Sequence, residues 1–260
     1  MTDRLNGLRV LVTRPAHQAK ALLQQLELQG AVPVSFPLLQ IVPLSESDIG
    51  YHALKQKFLD LDLYQHVLFI SPNAVQLGYN WIDQYWPQLP LGIQWLAIGK
   101  QTAAKLSNYG IDAYHSALGY DSEALLQSPA LQKVAGDKVL IVRGEGGRET
   151  LAKELSARGA EVSYAEPYRR KCPEYSHQEI QQALFSEPLD AILISSGAGL
   201  ENLLGLISNK DGKLITDSLF SCHLIVPSNR IKFKARQLGF NRITTASGPD
   251  DNSMINALMQ

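Results

Sequence analysis

The sequence predicts an α/β fold: two similar parallel-sheet α/β domains, one inserted in the other, joined by a two-stranded β connector. Three observations predict it. Short β-branched runs alternate with segments of helical period along the whole chain, the pattern of parallel sheets covered on both faces. Strand–loop–helix units recur as matched pairs. The pairs also come in a different order in the two halves, which a simple tandem duplication does not give and an insertion does.

The first pair is RVLVTRPAHQAKALLQQLELQGA (9–31) and KVLIVRGEGGRETLAKELSARGA (138–160). Each is a run with Val at alternate positions, an Arg (Arg14, Arg143), a turn, an apolar helical pattern and a closing Gly 16 residues after the Arg (Gly30, Gly159). The second pair is HVLFISPNAVQL (66–77) and DAILISSGAGLENL (190–203), with Ser71 and Ser195 at matching places. The third is WLAIGKQTAAKLSNYG (95–110) and LIVPSNRIKFKARQLG (224–239). Here Gly99 and Ser228 each stand 11 residues before a closing Gly. The fourth is DAYHSALGYDSEALL (112–126) and NRITTASGPDDNSMINAL (241–258), with Ser122 and Ser253 expected to start the last helix.

The first unit opens one half and its partner closes the other. Residues 1–37 with 169–260 are therefore expected to form a discontinuous outer domain, and 38–168 the inserted one. The crossings are PVSFPLLQIVPL (33–44) and EVSYAEPYRRKCP (161–173), both extended and marked by Pro. Ligands of open α/β sheets lie beyond the carboxyl ends of the strands, so a cleft between the two domains is the expected site.

Composition excludes several classes. A net charge of −1 with 45% apolar residues is globular and lacks the basic excess of bulk nucleic-acid binders. No stretch reaches the ~18 apolar residues of a membrane helix, and the opening MTDRLNGLRVLVTRP is too short in apolar residues for a signal peptide. Cys172 and Cys222 form no CxxC pair, and the six histidines fall into no ligand spacing, so no metal site is expected. A cytoplasmic monomer without metal or cofactor, acting on a small molecule and not on nucleic acid or membrane, is expected.

The candidate binding residues stand in the loops after the strands: Thr13 and Arg14; Ser71 and Asn73; Gly99, Lys100 and Thr102; Ser122; Arg143, Gly144 and Arg148; Ser195, Ser196 and Gly197; Ser228, Asn229 and Arg230. Small polar residues there cap helix N-termini, where free N–H groups and the helix dipole favour anions. The cations add charge suited to a polyanionic small molecule. Any single loop is equally ordinary capping, and Arg14 or Arg143 is equally a structural ion pair. GEGGR (144–148) is a tight turn before a helix and lacks both the GxGxxG spacing and the Lys-Ser/Thr of a phosphate-binding loop.

In order along the chain, VLVTRP, FISPNAV, AIGKQTAAKL, RGEGGRETLAKELSARGAEV, EPYRR and LISSGAGLENL resemble the uroporphyrinogen-III synthase family. The resemblance implies a cofactor-free lyase that closes the linear tetrapyrrole hydroxymethylbilane, with loss of water and inversion of ring D. It implies a substrate edged with acetate and propionate carboxylates. It also implies that Tyr168, in EPYRR, is the acid for the departing hydroxyl, and that Thr102 faces the substrate. Tyr168 as a connector residue that packs the hinge is the open alternative. Ile231 stands where some family members carry Thr, so that hydroxyl role does not transfer. From the residues alone, a non-catalytic two-domain anion-binding or sensor protein fits the same pattern.

Overall fold

The computed structural model describes residues 5–117, 119, 121–147, 149–208 and 218–260. Two compact units emerge: Met1–Gln40 with Lys171–Gln260, and Ile41–Arg170. The breaks at 40/41 and 170/171 compare with the expected 37/38 and 168/169.

The outer unit holds β1 (Arg9–Val12), α1 (Ala16–Leu28), β2 (Val32–Ser35), α7 (His177–Leu184), β8 (Ala191–Leu193), α8 (Gly197–Ser208), β9 (His223–Val226), α9 (Asn229–Gln237), β10 (Ile243–Thr245) and α10 (Asp251–Leu258). Its sheet runs β10-β9-β8-β1-β2, and every pair is parallel. Alternation along each strand decides which layer a residue joins. Leu11 packs with Ile192, Leu200, Leu203 and Phe240 on one face. Val10 and Val12 pack with Leu22, Leu26, Met254 and Leu258 on the other.

The inserted unit holds β3 (Gln40–Pro43), α2 (Tyr51–Leu59), β4 (His66–Phe69), α3 (Pro72–Tyr85), β5 (Gln94–Ala97), α4 (Lys100–Ser107), α5 (Ser122–Leu125), β6 (Lys138–Gly144), α6 (Thr150–Ala157) and β7 (Glu161–Lys171). Its sheet order is β3-β7-β6-β4-β5, with β7, β6, β4 and β5 parallel. Leu140 and Val142 join Phe58, Phe69 and Trp81 in one layer, and Val139 and Ile141 join Leu125, Leu151 and Leu155 in the other. All four residues of β4 are buried, as a central parallel strand covered on both faces requires. Helix α3 lies so close to the sheet that a Cβ on Gly78 would stand 2.9 Å from Val142 Cγ1. Tyr79, Trp81, Tyr85 and Trp86 serve packing: Trp81 stacks on Phe58, and Trp86 Nε1 donates to the Phe58 carbonyl at 2.7 Å.

The sequence pairs occupy equivalent places in the two sheets, β1 with β6, β8 with β4 and β9 with β5. Gly30 and Gly159 end their helices at φ 86° and 90°, a conformation open to Gly without a Cβ penalty. Two expectations are corrected. Val12 pairs with Leu193 and Ile141 with Leu68, so with Arg14 matching Arg143 it is Ser196, not Ser195, that matches Ser71. Ser122 does start α5, as expected, but the last helix of the outer unit starts at Asp251 and holds Ser253 within its first turn. Asp121 Oδ1 accepts from Ala124 N at 2.8 Å, and Asp250 Oδ1 accepts from Ser253 N at 2.9 Å. A carboxylate one or three residues upstream took the cap in each case, since Asp serves as well there as Ser.

Candidate active site

In each sheet the chain winds outward from a central pair of strands: β1 and β8 in the outer unit, β6 and β4 in the inserted one. Between such strands the crossing helices leave to opposite faces, and the crevice beyond their carboxyl ends is where open α/β sheets take ligands. The loops at these two crevices carry Thr13, Arg14, Ser195 and Ser196 in one unit, and Ser71, Asn73, Arg143 and Gly144 in the other.

The inserted unit's crevice is built around Tyr168. Strand β6 pairs with β7 in regular register to Val142 opposite Ala165, then shifts, so that Gly144 faces Tyr168. The bulge lets the Tyr168 ring cross β6 where no side chain stands. A Cβ on Gly144 would lie 2.4 Å from Tyr168 Cε2. The Tyr168 carbonyl accepts from Glu145 N at 2.8 Å, which fixes the loop after β6 to the same strand. Tyr168 is 4% exposed and belongs to the core layer of Phe69 and Val142. Its phenol oxygen lies 3.0 Å from Ser71 Oγ. Ser71 caps α3, accepting from Ala74 N at 3.0 Å, which leaves its own hydroxyl hydrogen to be shared with Tyr168. With Ser71 as donor, the phenol hydrogen is released for another acceptor. Tyr168 is thus both a packing residue and a hydroxyl held in a defined pair.

The other expected residues of this unit divide by environment. Gly99 is the buried N-cap of α4 in extended conformation, Lys100 is exposed beside it, and Thr102 is 2% exposed in the first turn. Asn73 is half-buried in the first turn of α3, and Ser122 opens α5. Arg143 is 5% exposed: Nε donates to Glu166 Oε1 at 2.9 Å, and the guanidinium lies 3.9 Å from the Tyr164 ring centre. Burial pushes the Tyr164 phenol up. Arg148 lies outside the described residues.

Two arginines that follow Tyr168 clasp this crevice. Arg169 donates to Glu145 Oε2 and to Asp48 Oδ1, each at 2.5 Å. Arg170 Nη2 donates to the carbonyls of Glu145 and Gly146 at 3.3 and 3.2 Å. The Ser45 backbone N–H, the Ser45 hydroxyl and Arg169 hold the Asp48 carboxyl down at about 2. Its folded value lies below the ordinary ≈3.9 of an unfolded Asp. The stability it contributes is therefore present above about pH 4 and lost as pH falls toward 2. Asp48→Asn should melt lower than the native protein at pH 6–7, and the gap should close between about pH 4 and pH 2. A gap that stays constant across that window would contradict this.

In the outer unit, Thr13 is 2% exposed and donates Oγ1–H to the Leu193 carbonyl at 2.7 Å, stitching β1 to β8. Arg14 donates to Asp251 at the start of α10 and to the Pro249 carbonyl. Ser196 Oγ accepts from Gly199 N at 3.0 Å, while Ser195 and Gly197 are half-buried beside it. Ser228 caps α9 through a long 3.5 Å bond from Ile231 N. Asn229 and Arg230 are exposed, and Asn229 Oδ1 accepts from Thr245 at 3.3 Å. Ile231 is buried in the core, so nothing polar is built at that position.

Arg14 and Arg143 therefore give their charge first to protein carboxylates. Among the described residues Lys100, Arg170 and Arg230 form no ion pair and keep theirs. The sequence reading missed Arg169, Arg170, Glu145, Asp48 and Glu166. The Arg-Arg pair directly after Tyr168 was the available signal, but its partners are 24 and 121 residues away. Among the described residues no group of three or more His, Cys, Asp or Glu is placed to hold a metal ion, and no helix is long and apolar enough to cross a membrane.

Residues 20–256 match the family model described as Uroporphyrinogen-III synthase HemD. The chain is 33% identical to the uroporphyrinogen-III synthase of Salmonella typhimurium over 96% of its own length and 99% of that protein's. It is likewise 33% identical to the Escherichia coli synthase, over the same shares. The fold is similar to that of a mutant uroporphyrinogen III synthase from the extremely thermophilic bacterium Thermus thermophilus, with a TM-score of 0.66 and 19% identity over 97% of each chain. The chain belongs to the uroporphyrinogen-III synthase family.

Proposed function

We propose that this enzyme converts hydroxymethylbilane to uroporphyrinogen III, and that the Tyr168–Ser71 hydroxyl pair supplies the proton for the departing hydroxyl. The observation that carries this is the 3.0 Å contact between Tyr168 and Ser71 at the crevice beyond β4 and β6. A phenol hydroxyl carries one O–H donor, which can pass its proton to a departing oxygen held within hydrogen-bond reach. The C–O bond of the hydroxymethyl group breaks, its electron pair leaves with the oxygen, and the donated proton makes the leaving group water. The azafulvene cation left behind is attacked by the substituted α-carbon of ring D. After that ring is turned over and reattached, the hydrogen on its free α-carbon is lost as a proton and restores the phenol. The net change is loss of one water.

Direct closure at the free carbon is the unassisted course and gives isomer I. The protein must therefore fold the chain so that the substituted carbon reaches the cation first. Backbone N–H groups at the starts of α3, α4, α8 and α9, with Lys100 and Arg230, suit the substrate's carboxylates. Incubating the purified protein with hydroxymethylbilane and separating the isomers tests the reading. Isomer III should dominate; isomer I at the rate of the buffer control would overturn it.

A further inference from the structure

A cavity of about 280 Å³ opens in the inserted unit, on the layer opposite Tyr168. It lies beyond the ends of β4, β5 and β6, between the starts of α5 and α6. Its floor is apolar, formed by Ile70, Ile98 and Ile141 with Tyr164. Arg143 and Arg170 stand in its wall. Arg143 is balanced by Glu166. Arg170 donates to two loop carbonyls and pairs with no carboxylate among the described residues, so its charge is available. The single carboxylate lining the cavity among the described residues, Asp121, accepts from Ala124 N as the cap of α5.

The volume falls just below the ~300 Å³ at which pockets for whole drug-sized ligands begin. It suits one ring and its substituents, not a tetrapyrrole. An apolar floor under a planar ring with a cation at the edge is the complement of a pyrrole that carries an acid side chain. We propose that this cavity takes one pyrrole ring of the bilane substrate, with an acetate or propionate on Arg170. The proposal rests on the synthase activity. It assigns Arg170, Ile98 and Ile141 a part in substrate binding that neither Tyr168 nor the helix N-termini supply. Anchoring one ring here fixes a point from which the rest of the chain is folded.

The test uses the full-length protein labelled at isoleucine δ-methyls and titrated with porphobilinogen, a monopyrrole bearing one acetate and one propionate. The Ile98 and Ile141 methyl signals should shift and saturate. Arg170→Met should weaken the binding about tenfold, the expected loss of a charge-assisted hydrogen bond. Ile98→Phe fills the cavity from its floor without touching the guanidinium. It should abolish the shifts and raise the KM for hydroxymethylbilane about tenfold at unchanged kcat, with melting close to the native value. Unshifted methyls in the native protein, equal affinity in Arg170→Met, or the same shifts with unsubstituted pyrrole would each overturn the proposal. Native protein that makes isomer III but shows no methyl shift removes the cavity alone. Native protein that makes only isomer I removes the synthase reading beneath it.

Discussion

Replacing Gly144 with Ala is expected to remove most turnover while the chain still folds. The added methyl would stand 2.4, 2.7 and 3.1 Å from Tyr168 Cε2, Cζ and Cδ2. No real Cβ sits that close to a ring, and the ring cannot yield in place because it is 4% exposed in the core. Either Tyr168 swings away and loses Ser71, or β6 separates from β7 at the bulge. Overpacking of this kind costs ~1–3 kcal/mol, which a domain of this size can lose and remain folded. A misplacement of about 1 Å at a reacting group lowers rate by about 10²-fold. We expect kcat to fall at least that far, with melting several degrees lower. Native kcat in Gly144→Ala would show that the position of Tyr168 does not matter to the reaction.

Tyr168→Phe isolates the hydroxyl from the ring. Phe keeps the contact with Gly144 and the core packing, and Ser71 keeps the Ala74 N–H. The loss is one neutral hydrogen bond, ~1 kcal/mol, so melting should move by only a few degrees. General-acid assistance is worth ~10²–10⁴ in rate. Water or a substrate carboxylic acid can replace part of it, and a fall in kcat of about 10² is expected. Isomer III should still dominate the residual product, because substrate folding depends on contacts elsewhere. Native kcat with unchanged melting would remove the phenol from the chemistry. A large drop in melting would assign Tyr168 to packing.

These two residues show where a single sequence was readable. The strand–helix alternation and the matching of 9–31 with 138–160 follow from local period and Gly placement, and both sheets reflect them. EPYRR was legible as an extended crossing because Pro constrains its neighbours. The bulge that sets Gly144 against Tyr168 depends on register between two strands, and no periodicity within one strand encodes it. The arginines are the opposite case. Arg14 and Arg143 stand at equivalent places in a repeat, which suits a ligand role and a structural ion pair alike. The repeat in fact places each where a carboxylate meets it: Asp251, 237 residues away, and Glu166, 23 away. Ser195 passes in the sequence for the match of Ser71, where the structure puts Ser196, because one residue of strand register is invisible in an apolar run.

The central claim, that Ser71 and Tyr168 act as one proton-donating pair, is tested most directly by a double-mutant cycle on kcat. Ser71→Ala also removes a helix cap worth ~1 kcal/mol, so the rates are compared well below the lowest melting temperature. If the two hydroxyls act as a unit, Ser71→Ala should lower kcat, and adding it to Tyr168→Phe should lower it little further. Independent effects that multiply in the double variant, or a Ser71→Ala enzyme with native kcat, would contradict the pair.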